Sequence, residues 1–172
     1  RCILQGMMAG WPSEEEKWAF WTRLIHHCCG RYRPTPVMND LKAIVGEKDY
    51  FVVTSNGEGH FELCGFDPTK IHEIEGNWFT MQCARPCHDT LYSSLEVVEK
   101  LSAAEQGGHV PTELVPRCPK CGGPMDIHMG AGQRMIPDTS AQARFQNFLK
   151  TYHGKKLVVL ELGIGWRNQL IK

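Results

Sequence analysis

Two close pairs of cysteines constrain this chain more than any other feature: Cys83-x3-Cys87, and then, beyond residues 88–117, Cys118-x2-Cys121. Two thiolates two or three residues apart can share one metal ion if the backbone turns tightly between them. The second pair reads Cys118-Pro119-Lys120-Cys121-Gly122-Gly123, where proline stiffens the turn and the glycines let amides approach the sulfurs. Four thiolates in two such pairs suit tetrahedral Zn²⁺, at about 2.3 Å per bond. With cysteine at all four positions no site stays open for water, so the expected Zn²⁺ is structural and not catalytic. The other cysteines do not extend the set. Cys28 and Cys29 close a His26-His27-Cys28-Cys29 run at the end of a predicted helix, where neighbours face different directions. Cys2 and Cys64 read as free thiols. A zinc ribbon beside unpaired thiols points to a reducing compartment, cytoplasmic or otherwise intracellular, or mitochondrial in a eukaryote.

The chain has 172 residues, 42% hydrophobic and 22% charged, enough for one domain or a domain with a small insertion. Lys+Arg and Asp+Glu are 19 each, so the formal net charge is zero. That balance argues against a nucleic-acid partner. The apolar runs are too short to span a membrane, and no signal segment opens the chain. It begins at Arg1, which reads as a processed product or a fragment.

Ser13-Glu14-Glu15-Glu16 predicts a capped helix with Trp18, Trp21, Leu24, Ile25 and Cys28 at helical spacing, ending near Gly30. Thr35 and Pro36 start a second helix whose stripe is Val37, Leu41, Ile44 and Val45. Residues 49–54 read as a buried strand of a parallel sheet, opening into the loop Ser55-Asn56-Gly57-Glu58-Gly59. Open α/β sheets place ligands at such strand ends. Short segments at 71–74 and 78–81 lead into Cys83. A helix is expected over Leu91 to Gln106, irregular chain over Gly122 to Pro137, and a helix from about Asp138 to Gly154 with Phe145, Phe148, Leu149 and Tyr152 on one face. Residues 157–162 read as a second buried strand running into Gly163-Ile164-Gly165. The expected architecture is α/β: a Rossmann-like parallel sheet with helices on both faces and an inserted zinc-ribbon module. Residues 1–80 and 138–172 would form the first unit, incomplete at both ends, and 81–137 the second. Gly163-x-Gly165 by itself is a weak dinucleotide signal.

The order of motifs says more than any one of them. Thr54-Ser55-Asn56-Gly57-Glu58-Gly59, Ile71-His72-Glu73-Ile74-Glu75-Gly76, the two cysteine pairs, and Leu160-Glu161-Leu162-Gly163-Ile164-Gly165 follow one another as in the sirtuins, which this chain resembles from Trp11 onward. Asn56 falls on the family's catalytic-loop asparagine, Glu58 where an aspartate is usual, and Cys83, Cys87, Cys118 and Cys121 on the zinc ligands. The deacylase histidine, which precedes the glycine of a His-Gly pair, is here Glu75 before Gly76. A free carboxyl titrates near 4.3 and is a poor base for a ribose hydroxyl. In this the chain is similar to the macrodomain-linked (class M) sirtuins, as it is in Trp18-Ala19-Phe20 and in the run from Val115 to Cys121.

That resemblance implies an NAD-dependent protein mono-ADP-ribosyltransferase acting on a lipoyl-carrier protein of the glycine-cleavage H-like kind. A macrodomain ADP-ribosyl hydrolase would be its functional partner. Asn56 and Glu75 would be catalytic, and Ser55, Asn56, Glu58, Gly163 and Gly165 would bind NAD. The family's Gly-Ala-Gly-x-Ser loop has no match in Arg1–Gly10. Two rival expectations are deacylation with Glu75 or another base, and a non-catalytic zinc-ribbon interaction module.

Overall fold

The computed structural model describes residues 3–130 and 134–163. After a short helix α1 (Ile3–Met7), helix α2 (Glu14–Ile25) starts where Ser13 caps it: the hydroxyl accepts from the Glu16 amide at 3.2 Å. Its apolar face carries Trp18, Trp21, Leu24 and Ile25 into the main core. The helix then widens into a π-helical turn, His26–Gly30, that buries Cys29 and leaves His27 exposed. Helix α3 (Pro36–Val45) begins as expected, with Thr35 accepting from the Met38 amide at 3.3 Å. Its expected buried stripe is only half right. Leu41 and Val45 pack against a small second core, but Val37 and Ile44 stay exposed, and no residue of α3 is fully buried.

Strand β1 (Val52–Thr54) pairs in parallel with β2 (Ile71–Glu73), Thr54 standing opposite Glu73. Between them lie helix α4 (His60–Leu63) and a 3₁₀ turn, Pro68–Lys70. Met38, Leu41 and Val45 of α3 join Phe66 and Ile71 on one side of this pair. On the other, Phe145 and Phe148 of helix α6 (Thr139–Tyr152) take Phe51 between them, with ring centroids at 5.3 and 5.7 Å. Helices thus flank the parallel pair on both faces, as expected.

The second unit is an antiparallel sheet in the order β4 (Tyr92–Ser93), β3 (Gly76–Cys83), β5 (Met125–Met129). Helix α5 (Leu95–Ala104) packs on α2, placing Val98 and Leu101 in the core that α2 shares with this sheet. Strand β5 falls within the stretch expected to be irregular. Met125 and Ile127 point inward, and the register joins Cys83 to Met125.

Residues 157–162 depart from expectation. They form no strand and belong to no ladder among the described residues, and Val158 is 90% exposed. An apolar run favours burial, yet β-structure needs a neighbouring strand to complete its hydrogen bonds, and no described strand pairs with it. No described helix is long and apolar enough to cross a membrane.

Candidate functional site

Two sets of residues gather where the sequence pointed. The first is the cysteine tetrad. Cys83 ends β3, and Cys118 and Cys121 bracket a turn closed by bonds from the Gly122 amide to the Cys118 carbonyl and from the Cys118 amide to the Gly123 carbonyl, each 2.8 Å. One sulfur from each residue lies within 4.8 Å of the others. Cys83–Cys121 and Cys87–Cys118 are each 3.6 Å apart. Bonds of about 2.3 Å in a tetrahedron put sulfurs roughly 3.8 Å apart, so the arrangement fits a metal site of four cysteine ligands. The amides of Cys87 and Arg85 aim at Cys83 and hold its thiol down to about 6 against the cost of burial. Burial pushes the Cys118 thiol up, but the amides of Cys121 and Lys120 outweigh it and leave it lowered. Burial and the other thiols push Cys87 up to about 12. Four sulfurs this close share their protons unless a cation replaces them. His88 leans on the tetrad from outside, Nδ1 at 2.9 Å from the Cys87 sulfur and Nε2 at 2.8 Å from the Tyr92 hydroxyl. The run from His26 to Cys29 gives no metal-competent cluster among the described residues.

The second set surrounds the loop at the carboxyl end of β1. Buried Thr54 accepts from the Asn56 amide at 3.0 Å, and this turn lifts Asn56 to the surface. Gly57 seats the loop: its carbonyl accepts from the Trp78 amide at 2.8 Å, and a Cβ there would lie 2.9 Å from the Gly76 carbonyl oxygen. Gly76 has φ +93°, and a Cβ on it would come within 2.4 Å of the His128 carbonyl oxygen. Only glycine fits at that place. The Asn56 loop and the Glu75 turn therefore meet through two glycines, each next to one of the two residues singled out as catalytic. The Glu75 carbonyl is fixed by the Gly130 amide at 2.6 Å. Ser55 and Glu58 are half-buried on the same loop. Gly163 stands apart with φ +69° and open space around it, while Gly165 lies outside the described residues.

Sequence reasoning missed the residues beneath this loop. Glu73, opposite Thr54, accepts a hydrogen bond from the Asn77 side-chain amide, and the Asn77 side-chain oxygen accepts from the Phe79 amide at 2.6 Å. Burial raises the Glu73 carboxyl to about 7. The Cys29 thiol donates to the Glu58 carbonyl at 3.3 Å, and burial pushes that thiol up to about 12. His60 bridges the Glu58 carboxylate and the Cys28 carbonyl. A carboxylate at the end of the short strand β2 was the one signal that could have drawn attention to Glu73. Two shallow grooves of about 520 and 430 Å³ lie on either side of α2, and neither is lined by Asn56 or Glu75.

A parallel strand pair flanked by helices is thus joined to a four-cysteine sheet module and a glycine-seated loop. No protein-family model matches the chain. It is 32% identical over 178 residues to a protein ADP-ribosyltransferase of Staphylococcus aureus (strain Mu50 / ATCC 700699), a match covering 99% of this chain and 56% of the relative. It is 29% identical over 167 residues to a probable bifunctional ADP-ribose hydrolase/ADP-ribosyltransferase of Fusarium oxysporum f. sp. cubense, covering 90% of this chain and 28% of that one. Its fold matches Sir2Tm bound to a propionylated peptide, with TM-score 0.57 and 20% identity, over 83% of this chain and 56% of the other. A structure from a study of sirtuin substrate affinity matches with TM-score 0.51 and 21% identity, over 74% of this chain and 48% of the other. The fold is that of the sirtuins, and the chain spans about half the length of the Staphylococcus relative.

Proposed function

We propose that this chain forms part of an NAD-dependent protein mono-ADP-ribosyltransferase of the sirtuin type. The observation carrying this reading is the turn of Glu75, expected from the resemblance to stand in the histidine's place, packed through Gly76 against the Gly57 backbone of the Asn56 loop. The named relatives lend support, since both carry ADP-ribosyltransferase in their names.

In this reading residues 1–80 and 138–172 form the NAD-binding unit, and 81–137 form the zinc-binding module. Zn²⁺ bound by Cys83, Cys87, Cys118 and Cys121 would hold the module and take no part in chemistry. Bound NAD would supply ADP-ribose activated by its nicotinamide leaving group. Asn56, exposed at the strand end, would orient the nicotinamide-side ribose or the attacking group. Ser55 and Glu58 would shape its loop. Glu75 would stabilise positive charge developing on the ribose, or take the proton from the acceptor side chain. Gly163 and Gly165 would let the backbone approach the adenosine half. The acceptor would be a lipoyl-carrier protein, with a macrodomain hydrolase removing the mark. The Fusarium relative's name joins the two activities in one chain, which favours that pairing.

The test uses the full-length protein with NAD⁺ and two substrates, a lipoyl-carrier protein and an acyl-lysine peptide, both followed by intact-mass spectrometry. Mass addition of ADP-ribose to the carrier, lost in Asn56→Ala, is the expected result. Loss of the acyl group from the peptide, with the carrier unchanged, would overturn it.

A further inference from the structure

The β1 loop is tied down at a second point that the mechanism above does not use. His60 opens α4, four residues after Asn56, and its ring reaches back to the π-helical turn at the end of α2. Ring nitrogen Nε2 lies 2.8 Å from the Cys28 carbonyl oxygen. A carbonyl only accepts, so Nε2 carries a proton. Ring nitrogen Nδ1 lies 3.4 Å from the Glu58 carboxylate. The ring therefore spans the Glu58 side chain and the end of α2. Two further features hold it there. The Tyr32 ring stacks on the imidazole at 3.8 Å and 13°, presenting its electron-rich face. The Cys28 carbonyl belongs to the last turn of a helix, where partial negative charge collects.

We propose that His60 is a positioning residue: its ring staples the Asn56 loop to the end of α2, through Glu58 on one side and the Cys28 carbonyl on the other. The groups that face it are Glu58 on its own loop, Cys28 and Cys29 on the π-helical turn, Tyr32 just beyond it, and Cys64 at 3.5 Å behind the Tyr32 hydroxyl. Glu73 approaches from β2, close enough to act on Cys29. Burial raises Cys28, Cys29 and Tyr32, so these stay neutral. The loop is already fixed at Thr54 and Gly57, so His60 governs how Asn56 is presented and not whether the strand forms.

Hydrogen exchange of the loop peptides, corrected for intrinsic rate, tests the staple without reference to activity. Glu58→Ala should lower protection of the loop three- to tenfold, the scale of one partly exposed side-chain contact. His60→Phe, which keeps an aromatic against Tyr32, should lower protection at every pH with unchanged circular dichroism and metal content. Either variant protected like wild type would overturn the proposal. The enzymatic arm rests on the function proposed above. In the full-length protein His60→Phe should raise KM for NAD⁺ about tenfold with a smaller change in kcat. If exchange behaves as expected while the wild type transfers no ADP-ribose, the functional reading fails and the staple stands. If transfer occurs and His60→Phe matches wild type in both assays, the staple fails.

Discussion

Burial raises the Glu73 carboxyl to about 7, with Glu62, Glu58 and Asp138 adding like charge and the Asn77 amide opposing. An unfolded chain holds a glutamate near its ordinary value, so Glu73 binds its proton more tightly when the protein is folded. The folded state is then favoured fully while Glu73 is protonated, below about pH 4.5, and loses that advantage as pH rises through about 7. The loss amounts to at most about 3 kcal/mol. Glu73→Gln should match wild type in urea near pH 5 and be the more stable protein above pH 7. Equal midpoints across that range would contradict the buried-carboxyl account. Gly76 makes a second residue-scale prediction. A Cβ there meets backbone 2.4 Å away at a positive φ, so Gly76→Ala should cost at least about 1–3 kcal/mol. It should also shift the Gly57 contact, seen as changed Trp78 fluorescence.

Among the elements, caps and stripes carried most of what could be read in advance. Ser13 and Thr35 cap the helices assigned to them, and Asp138 accepts from the Ala141 amide at 2.8 Å at the start of α6. Asp138→Ala should lower stability by about 1 kcal/mol, measured by thermal melting. A change below a few tenths would mean the cap is idle. Phe51→Ala should free α6 from β1, exposing the amides of residues 139–152 to exchange before the rest of the chain. What escaped the sequence was pairing. Met125-Asp126-Ile127-His128-Met129 alternates with strand period, but flanking glycines hid it. Conversely, residues 157–162 look like a strand by composition and have no described partner. Hydrophobic pattern reports what wants burial, whereas a ladder depends on chain that pattern does not specify. The same limit applies at the site. Spacing revealed the four cysteines because a metal imposes spacing. Glu73, His60 and Cys29 come from three separate elements and meet only after folding.

At the scale of the whole molecule, Cys83 and Cys118 sit in the core that α2, α5 and the antiparallel sheet share, while Cys87 and Cys121 close the tetrad from the exposed side. Purified protein should hold about one zinc per chain. Chelation should then lower the melting temperature and expose Trp18 and Leu101; full retention of the melt in the metal-free state would rule out a structural metal. Strand β3 gives this a longer reach. Its first residue, Gly76, packs against the Asn56 loop, and its last, Cys83, belongs to the tetrad; their partners on β5, Met129 and Met125, stand roughly 14 Å apart. Strand β5 thus pairs with both ends of β3, across an irregularity between Asn77 and Met81. A thiol oxidant that ejects a bound metal would loosen β3 at Cys83 and so shake the loop at its far end. The four sulfurs are thereby in a position to report oxidative stress to a surface they never touch.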